Sequence, residues 1–146
     1  IGISLTNPSR QDVLVSNIRC RGLAMDEEQS LYLTDYDRDA VWYYHKGEKQ
    51  GKIIAGCNGK GDRLNQFNGP YDVVVADDTS IYVSDENNHR VMKWLKNANE
   101  GIIVAGGHGP GHSSMHLLGP RGIYVDSFDS IFVTDGWNHR VMRWLK

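Results

Sequence analysis

Three histidines, His108, His112 and His116, recur every fourth residue in Gly107-His108-Gly109-Pro110-Gly111-His112-Ser113-Ser114-Met115-His116. Three imidazoles with an open fourth position would suit a catalytic zinc. That spacing aligns ligands only on a helix, however, and the glycines and proline of the stretch oppose one. The matching positions one repeat earlier are Asn58, Asp62 and Gln66, so the reading is a solvated polar loop with no metal. A second set has the residue types of acid–base catalysis: Asp85 with His89 and Arg90, and again Asp135 with His139 and Arg140. A reaction centre needs one asymmetric set of roles, whereas these recur at equal spacing. They are therefore assigned to structure: Asp35, Asp85 and Asp135 each close a strand, and the last two pair with the following His or Arg to fix a turn. Gly56-Cys57-Asn58-Gly59-Lys60-Gly61 carries the glycines of a phosphate cradle but lacks the Gly-Lys-Ser/Thr ending and a following helix, so no nucleotide and no other cofactor is expected.

What positions these residues is an internal repeat. Ile81 to Lys96 returns as Ile131 to Lys146 with eleven of sixteen positions identical. A fainter copy, Leu31-Tyr32-Leu33-Thr34-Asp35, gives the same interval (85 − 35 = 50; 135 − 85 = 50), a period typical of propellers, solenoids or arrays. Each repeat reads as four short strands. The first covers Gly22 to Met25, Asp72 to Val75 and Gly122 to Val125, and an acidic turn such as Ala76-Asp77-Asp78-Thr79 follows it. The second covers Leu31 to Thr34, Ile81 to Ser84 and Ile131 to Thr134, and the third Ala40 to Tyr44, Arg90 to Leu95 and Arg140 to Leu145. Lys52 to Ala55 and Ile102 to Ala105 supply fourth strands. Asp12 to Ile18 has similar β-branched character and is predicted as the last strand of a preceding unit, after an irregular lead-in over residues 1–11 with a turn composition at Asn7-Pro8-Ser9. No segment keeps a helical apolar period over three turns, so the fold class is all-β. Ile81-Tyr82-Val83 is continuously apolar, as expected of a strand covered on both faces by neighbouring sheets.

Tyr82-Val83-Ser84-Asp85 followed by Asn88-His89-Arg90-Val91, and Phe132-Val133-Thr134-Asp135 followed by Asn138-His139-Arg140-Val141, resemble the NHL-repeat family. Gly69-Pro70, Gly119-Pro120, Ala55-Gly56 and Ala105-Gly106 fit the same pattern. The resemblance covers residues 12–146 and implies β-propeller blades of four antiparallel strands, about three blades of a six-bladed ring. Blade 1 is placed at about 21–56, blade 2 at about 70–106 and an incomplete blade 3 at about 120–146. The first repeat departs from the pattern, with Asp37-Arg38-Asp39-Ala40 where Asn-His-Arg should stand. Family members serve mainly as binding platforms; some bind RNA, and a relative is a metal-dependent amidating lyase.

The expected function is a non-catalytic platform for a protein partner. Turns after the second strand and the long connections after the fourth should share one face, whose candidate contacts are Asp37, Arg38, Asn58, Arg63, Asn87, Asn88, His108, His112, His116, Trp137 and Asn138. Trp137 is the best single anchor. An RNA-binding module is the first rival: Arg90, Lys93, Lys96, Arg140, Arg143 and Lys146 interleave with Trp94 and Trp144 on two adjacent third strands. A metal-dependent lyase or hydrolase is the second. A net charge of −2 gives no overall drive toward nucleic acid or anionic membrane, and no apolar run approaches the length of a membrane span. Cys20 and Cys57, three strand steps apart or roughly 14 Å, are predicted to be free thiols. Three blades do not close a ring, so the remaining blades are expected from a longer chain, or failing that from a second copy.

Overall fold

A computed structural model describes residues 10–146. Its strands, in chain order, are β1 (Cys20–Met25), β2 (Leu31–Asp35), β3 (Ala40–Tyr44), β4 (Lys52–Gly56), β5 (Pro70–Val75), β6 (Ile81–Asp85), β7 (Arg90–Trp94), β8 (Ile102–Gly106), β9 (Pro120–Val125), β10 (Ile131–Asp135) and β11 (Arg140–Trp144). They form three antiparallel sheets, β1-β2-β3-β4, β5-β6-β7-β8 and β9-β10-β11, each an up-and-down meander. These are three blades of a β-propeller, the third with three strands. Among the described residues two single 3-10 turns, Glu86–Asn88 and Gly136–Asn138, interrupt the all-β architecture.

Aspartates set the hairpins. Asp26 and Asp126 each accept the N–H of the serine four residues on, and Asp78 that of Ser80, so the turn between the first two strands of every blade closes on a carboxylate. Blades then stack face to face. Val83, Ile81, Met92 and Trp94 of blade 2 pack with Tyr32, Val41 and Ala55 of blade 1, with Phe67 from the connection wedged between them. On the other face of blade 2, Tyr82, Val91 and Ala105 meet Leu117, Ile123, Ile131 and Val133. Every residue of β6 is accordingly buried, whereas β10 alternates, because its Phe132 and Thr134 side has no blade against it.

One hydroxyl per blade bonds across each joint. Thr34 Oγ1 accepts the Gly22 N–H in its own sheet and donates to the Tyr71 carbonyl of the next; Ser84 Oγ accepts from Asp72 N–H and donates to the Arg121 carbonyl. Thr134, with no following blade, only reaches Gly122 beside it. Ser84→Ala is expected to cost about 1–3 kcal/mol, because the Asp72 N–H and the Arg121 carbonyl both lose their partner. Thr134→Ala, at an exposed position, should cost about 1 kcal/mol or less. Equal shifts of the urea midpoint for the two variants would refute this cross-blade role.

Asp12 to Ile18 is not a strand. Stepping forward by the repeat puts it level with 62–68 (12 + 50 = 62; 18 + 50 = 68), within the connection that precedes β5. Its apolar residues are mostly exposed, Val13 at 83% and Leu14 at 66%, and it has no neighbouring strand to form a ladder with among the described residues. The lead-in turn at Asn7-Pro8-Ser9 lies outside the described residues.

Candidate functional site

The second strand of each blade ends in an aspartate with a fully buried side chain, and the chain then turns through a residue in the left-handed region: Asp39 (φ 49°), His89 (φ 52°) and His139 (φ 52°). The buried carboxylate organises what surrounds it. Asp85 Oδ1 accepts the Asn68 N–H at 2.7 Å, while Oδ2 accepts from Asn88 Nδ2 and Arg90 Nε, both at 2.8 Å. The rest of the Arg90 guanidinium donates to the carbonyls of Asp62, Arg63 and Gln66. Asp135 repeats the set with Leu118 N–H, Asn138 and Arg140, and Arg140 reaches the carbonyls of His112, Ser113 and His116. Burial pushes the Asp85 carboxyl up, against the downward pull of the Asn68 N–H, Asn88 and Arg90.

The Asp therefore pairs with the Arg and the Asn of the motif, and the histidine has a different task. His89 Nδ1 accepts the N–H of Gly119 at 3.1 Å, a bond into the start of blade 3. In blade 1 Asp39 stands in that place and does the same, its Oδ1 accepting from Gly69 N–H at 2.8 Å. Blade 1 also replaces the missing arginine: Asp35 Oδ2 accepts from Arg38 and from the Trp42 indole, both at 2.9 Å. Burial raises the Asp35 pKa, but the bonds from Trp42 and Arg38 outweigh it and leave the group below its ordinary value.

Burial lowers the His89 pKa, although Asp135 and Glu86 pull it up. The neutral ring is the form that can accept from Gly119. A histidine depressed in the fold contributes stability in full above its unfolded value of about 6.5, and that contribution drains as pH falls below it toward the folded value. The Gly119 amide should accordingly lose hydrogen-exchange protection between pH 7 and pH 5 after correction for intrinsic exchange. Constant protection over that range would show that the tie does not depend on a neutral ring.

Of the residues expected to make contacts, Asn88, Asn138 and Asn58 are engaged in holding loops: Asn88 and Asn138 donate to the Gly61 and Gly111 carbonyls, and Asn58 to Gly56 and Asn65. Their bonds also place the turns after β6 and β10 on one face with the connections 57–69 and 107–119. Asp37 lies exposed and pairs with Arg19 at 3.3 Å; Arg38 is half-exposed; Arg63 is exposed. Asn87 reaches Asn68 on the rim. Trp137 lies flat on Gly119, where a Cβ would come within 2.8 Å of the indole, and edge-on to His89 at 6.0 Å, yet 48% of it stays exposed. The three loop histidines do not converge. His108 and His116 lie edge-on with ring centroids 6.1 Å apart, whereas His112 bonds to Asn138. Among the described residues no group of three His, Cys, Asp or Glu is gathered at ligand distance.

The basic and aromatic stripe is broken up. Trp94 is 2% exposed, its indole N–H on the Ala98 carbonyl and its ring on Phe67, so it offers no face to a base. Arg90 is buried on Asp85, and Lys146 pairs with Asp129. Both cysteines are free and exposed.

A cluster missed from sequence lies where β1, β5 and β9 begin. Glu86, with a side chain 6% exposed, accepts from Arg21 on one oxygen and from Arg121 on the other, both at 3.0 Å. Tyr71 sits between the two guanidiniums, 5.2 and 5.3 Å from them, and Tyr36 lies under Arg21 at 3.9 Å. The signal was positional: Arg21, Tyr71 and Arg121 are the same site in three successive repeats.

The NHL repeat model matches residues 67–94, which span Phe67, β5, β6 and β7. Among curated proteins none matches the chain. Three solved structures are similar in fold. A gluconolactonase from Xanthomonas campestris is 18% identical with a TM-score of 0.72 over 92% of this chain and 47% of its own. A virginiamycin B lyase from Staphylococcus aureus is 10% identical, TM-score 0.59, over 87% and 41%. A chain of a nidogen/laminin complex is 16% identical, TM-score 0.57, over 85% and 47%. The chain thus spans less than half the length of each.

Proposed function

We propose that this chain is a non-catalytic binding platform, and that a protein partner docks on the face formed by the turns after β6 and β10 and the connections 57–69 and 107–119. The observation that carries this reading is Trp137. It is a large aromatic surface held by Gly119 and His89 and still half exposed, so binding would order little that is not ordered already. The repeated Asp–Arg pairs support the same reading, since both members are engaged in holding loops. The fold relatives are two enzymes and a member of a protein complex, and fold alone does not choose between those uses.

Trp137→Ala is expected to weaken capture of a cross-linked protein partner by about tenfold or more while the melting temperature stays within about 3 °C. Unchanged capture would remove Trp137 as the anchor. A variant that captures less only because it has unfolded would show the ring to be packing.

A further inference from the structure

The Arg21–Glu86–Arg121 cluster does something the inter-blade joint does not need. Blades 1 and 2, and blades 2 and 3, are already tied by the Thr34 and Ser84 hydroxyls, by the Asp39 and His89 acceptors, and by their apolar cores. Yet two guanidiniums from blades 1 and 3 are drawn onto one carboxylate of blade 2. Two positive charges facing one negative leave a net charge of +1 at this spot, while the neighbouring Arg19 is balanced by Asp37. Each guanidinium gives Glu86 a single nitrogen: Arg21 its Nη1 and Arg121 its Nε. Neither has another acceptor among the described residues. Exposure is graded, with Glu86 at 6% beneath Arg21 at 30% and Arg121 at 44%. Both arginine side chains therefore stay partly open to solvent, with donors that Glu86 does not take up.

We propose that this cluster binds the oxyanion group of a ligand, a carboxylate or a phosphate, at the place where the first strands of the three blades begin. Guanidinium forks match both groups with paired N–H donors, and stacking on Tyr36 and Tyr71 holds the forks in place before any ligand arrives. An arriving anion offsets the charge that Glu86 leaves uncompensated. Tyr71 and Tyr36 supply flat surface beside the anion for the remainder of the ligand. Arg121 lies against Gly136, next to Trp137 in the chain, but the anion site stands whether or not Trp137 anchors a protein.

The test uses the 146-residue chain at constant ionic strength. Inorganic phosphate is titrated in one arm and acetate in another, and the Nε–Hε resonances of Arg21 and Arg121 are followed by NMR. A saturable shift with at least one anion is expected, with the midpoint raised about tenfold or more in Arg121→Gln. Saturation by phosphate alone assigns a phosphate-bearing ligand, and by acetate alone a carboxylate. The Arg121 side chain is nearly half solvent-exposed, so the variant should keep its fold, and an unchanged melting curve confirms that. Shifts that stay linear with concentration, or that are identical in folded Arg121→Gln, would overturn the proposal and leave the cluster as a clamp between blades.

Discussion

Asp85→Ala should destabilise this chain by about 3–5 kcal/mol, more than any other single truncation of the repeated motif. The Asp85 side chain is 0% exposed and that of Arg90 5%, so the substitution leaves a buried guanidinium without its counter-charge. It also leaves the Asn68 N–H without an acceptor and frees one Asn88 amide hydrogen, while the other stays on the Gly61 carbonyl. Arg90 would still hold the carbonyls of Asp62, Arg63 and Gln66, which bound its position but carry no full negative charge. Asp135→Ala removes the equivalent carboxylate, but Arg140 is 29% exposed and water can take over part of the role, so the loss should be smaller. In the double variant Asp85→Ala/Arg90→Met no charge is buried, and part of the stability should return. The measurement is urea unfolding of all four proteins. Midpoints that rank Asp135→Ala below Asp85→Ala, or a double variant weaker than both single ones, would contradict the ion pair as the organising contact.

Gly22→Ala should be nearly as damaging for a different reason. A Cβ built on Gly22 would lie 2.7 Å from Asp72 Cα, 2.8 Å from the Tyr71 carbonyl oxygen and 2.9 Å from Val73 N. All three are backbone atoms of β5 and none can rotate aside, so β1 must move off blade 2. Overpacking of this kind costs about 1–3 kcal/mol, and here it would also stretch the Thr34 bond to Tyr71. Gly122 is the internal control, because a Cβ there meets only Thr134 side-chain atoms, the nearest at 3.2 Å. Gly122→Ala should therefore be mild. Matching denaturation curves for Gly22→Ala and Gly122→Ala would show that the close approach of β1 to β5 is not limiting.

The two cases show what was legible in the chain and what was not. The second and third strands were, because Ile81 to Lys96 and Ile131 to Lys146 keep eleven of sixteen residues, among them the strand-closing aspartate and the αL histidine that turns the corner. The partner of Asp85 was readable only as His or Arg, since spacing does not say which side chain points inward. Geometry gives it to Arg90, and gives His89 to the next blade. Blade 1 concealed its equivalents because the chemistry moved between positions: Trp42 and Arg38 replace the arginine, and Asp39 replaces the histidine. Asp12 to Ile18 was misread because β-branched residues in a connection look like those in a strand until the repeat interval is applied to them. Glu86 was passed over since Tyr36, Glu86 and Gly136 share a position but no chemistry, and only the approach of Arg21 and Arg121 gives it a role.

The connection 57–69 leaves the outer strand of blade 1, where Asp39 holds its two ends, yet blade 2 fixes most of its course. Arg90 holds three of its carbonyls, Asp85 one of its amides, and Trp94 packs on its Phe67. The seam of the molecule therefore falls just after β4 and β8 and not at the Gly-Pro pairs that open the next sheets. Residues 57–106 form a self-consistent piece, carrying each loop together with the side chains that grip it. A chain severed after Gly106 should keep its remaining connection ordered. One severed after Gly119 would carry a stretch, 107–119, whose clasp of Asp135, Asn138 and Arg140 has gone, and proteases should trim it back to the seam.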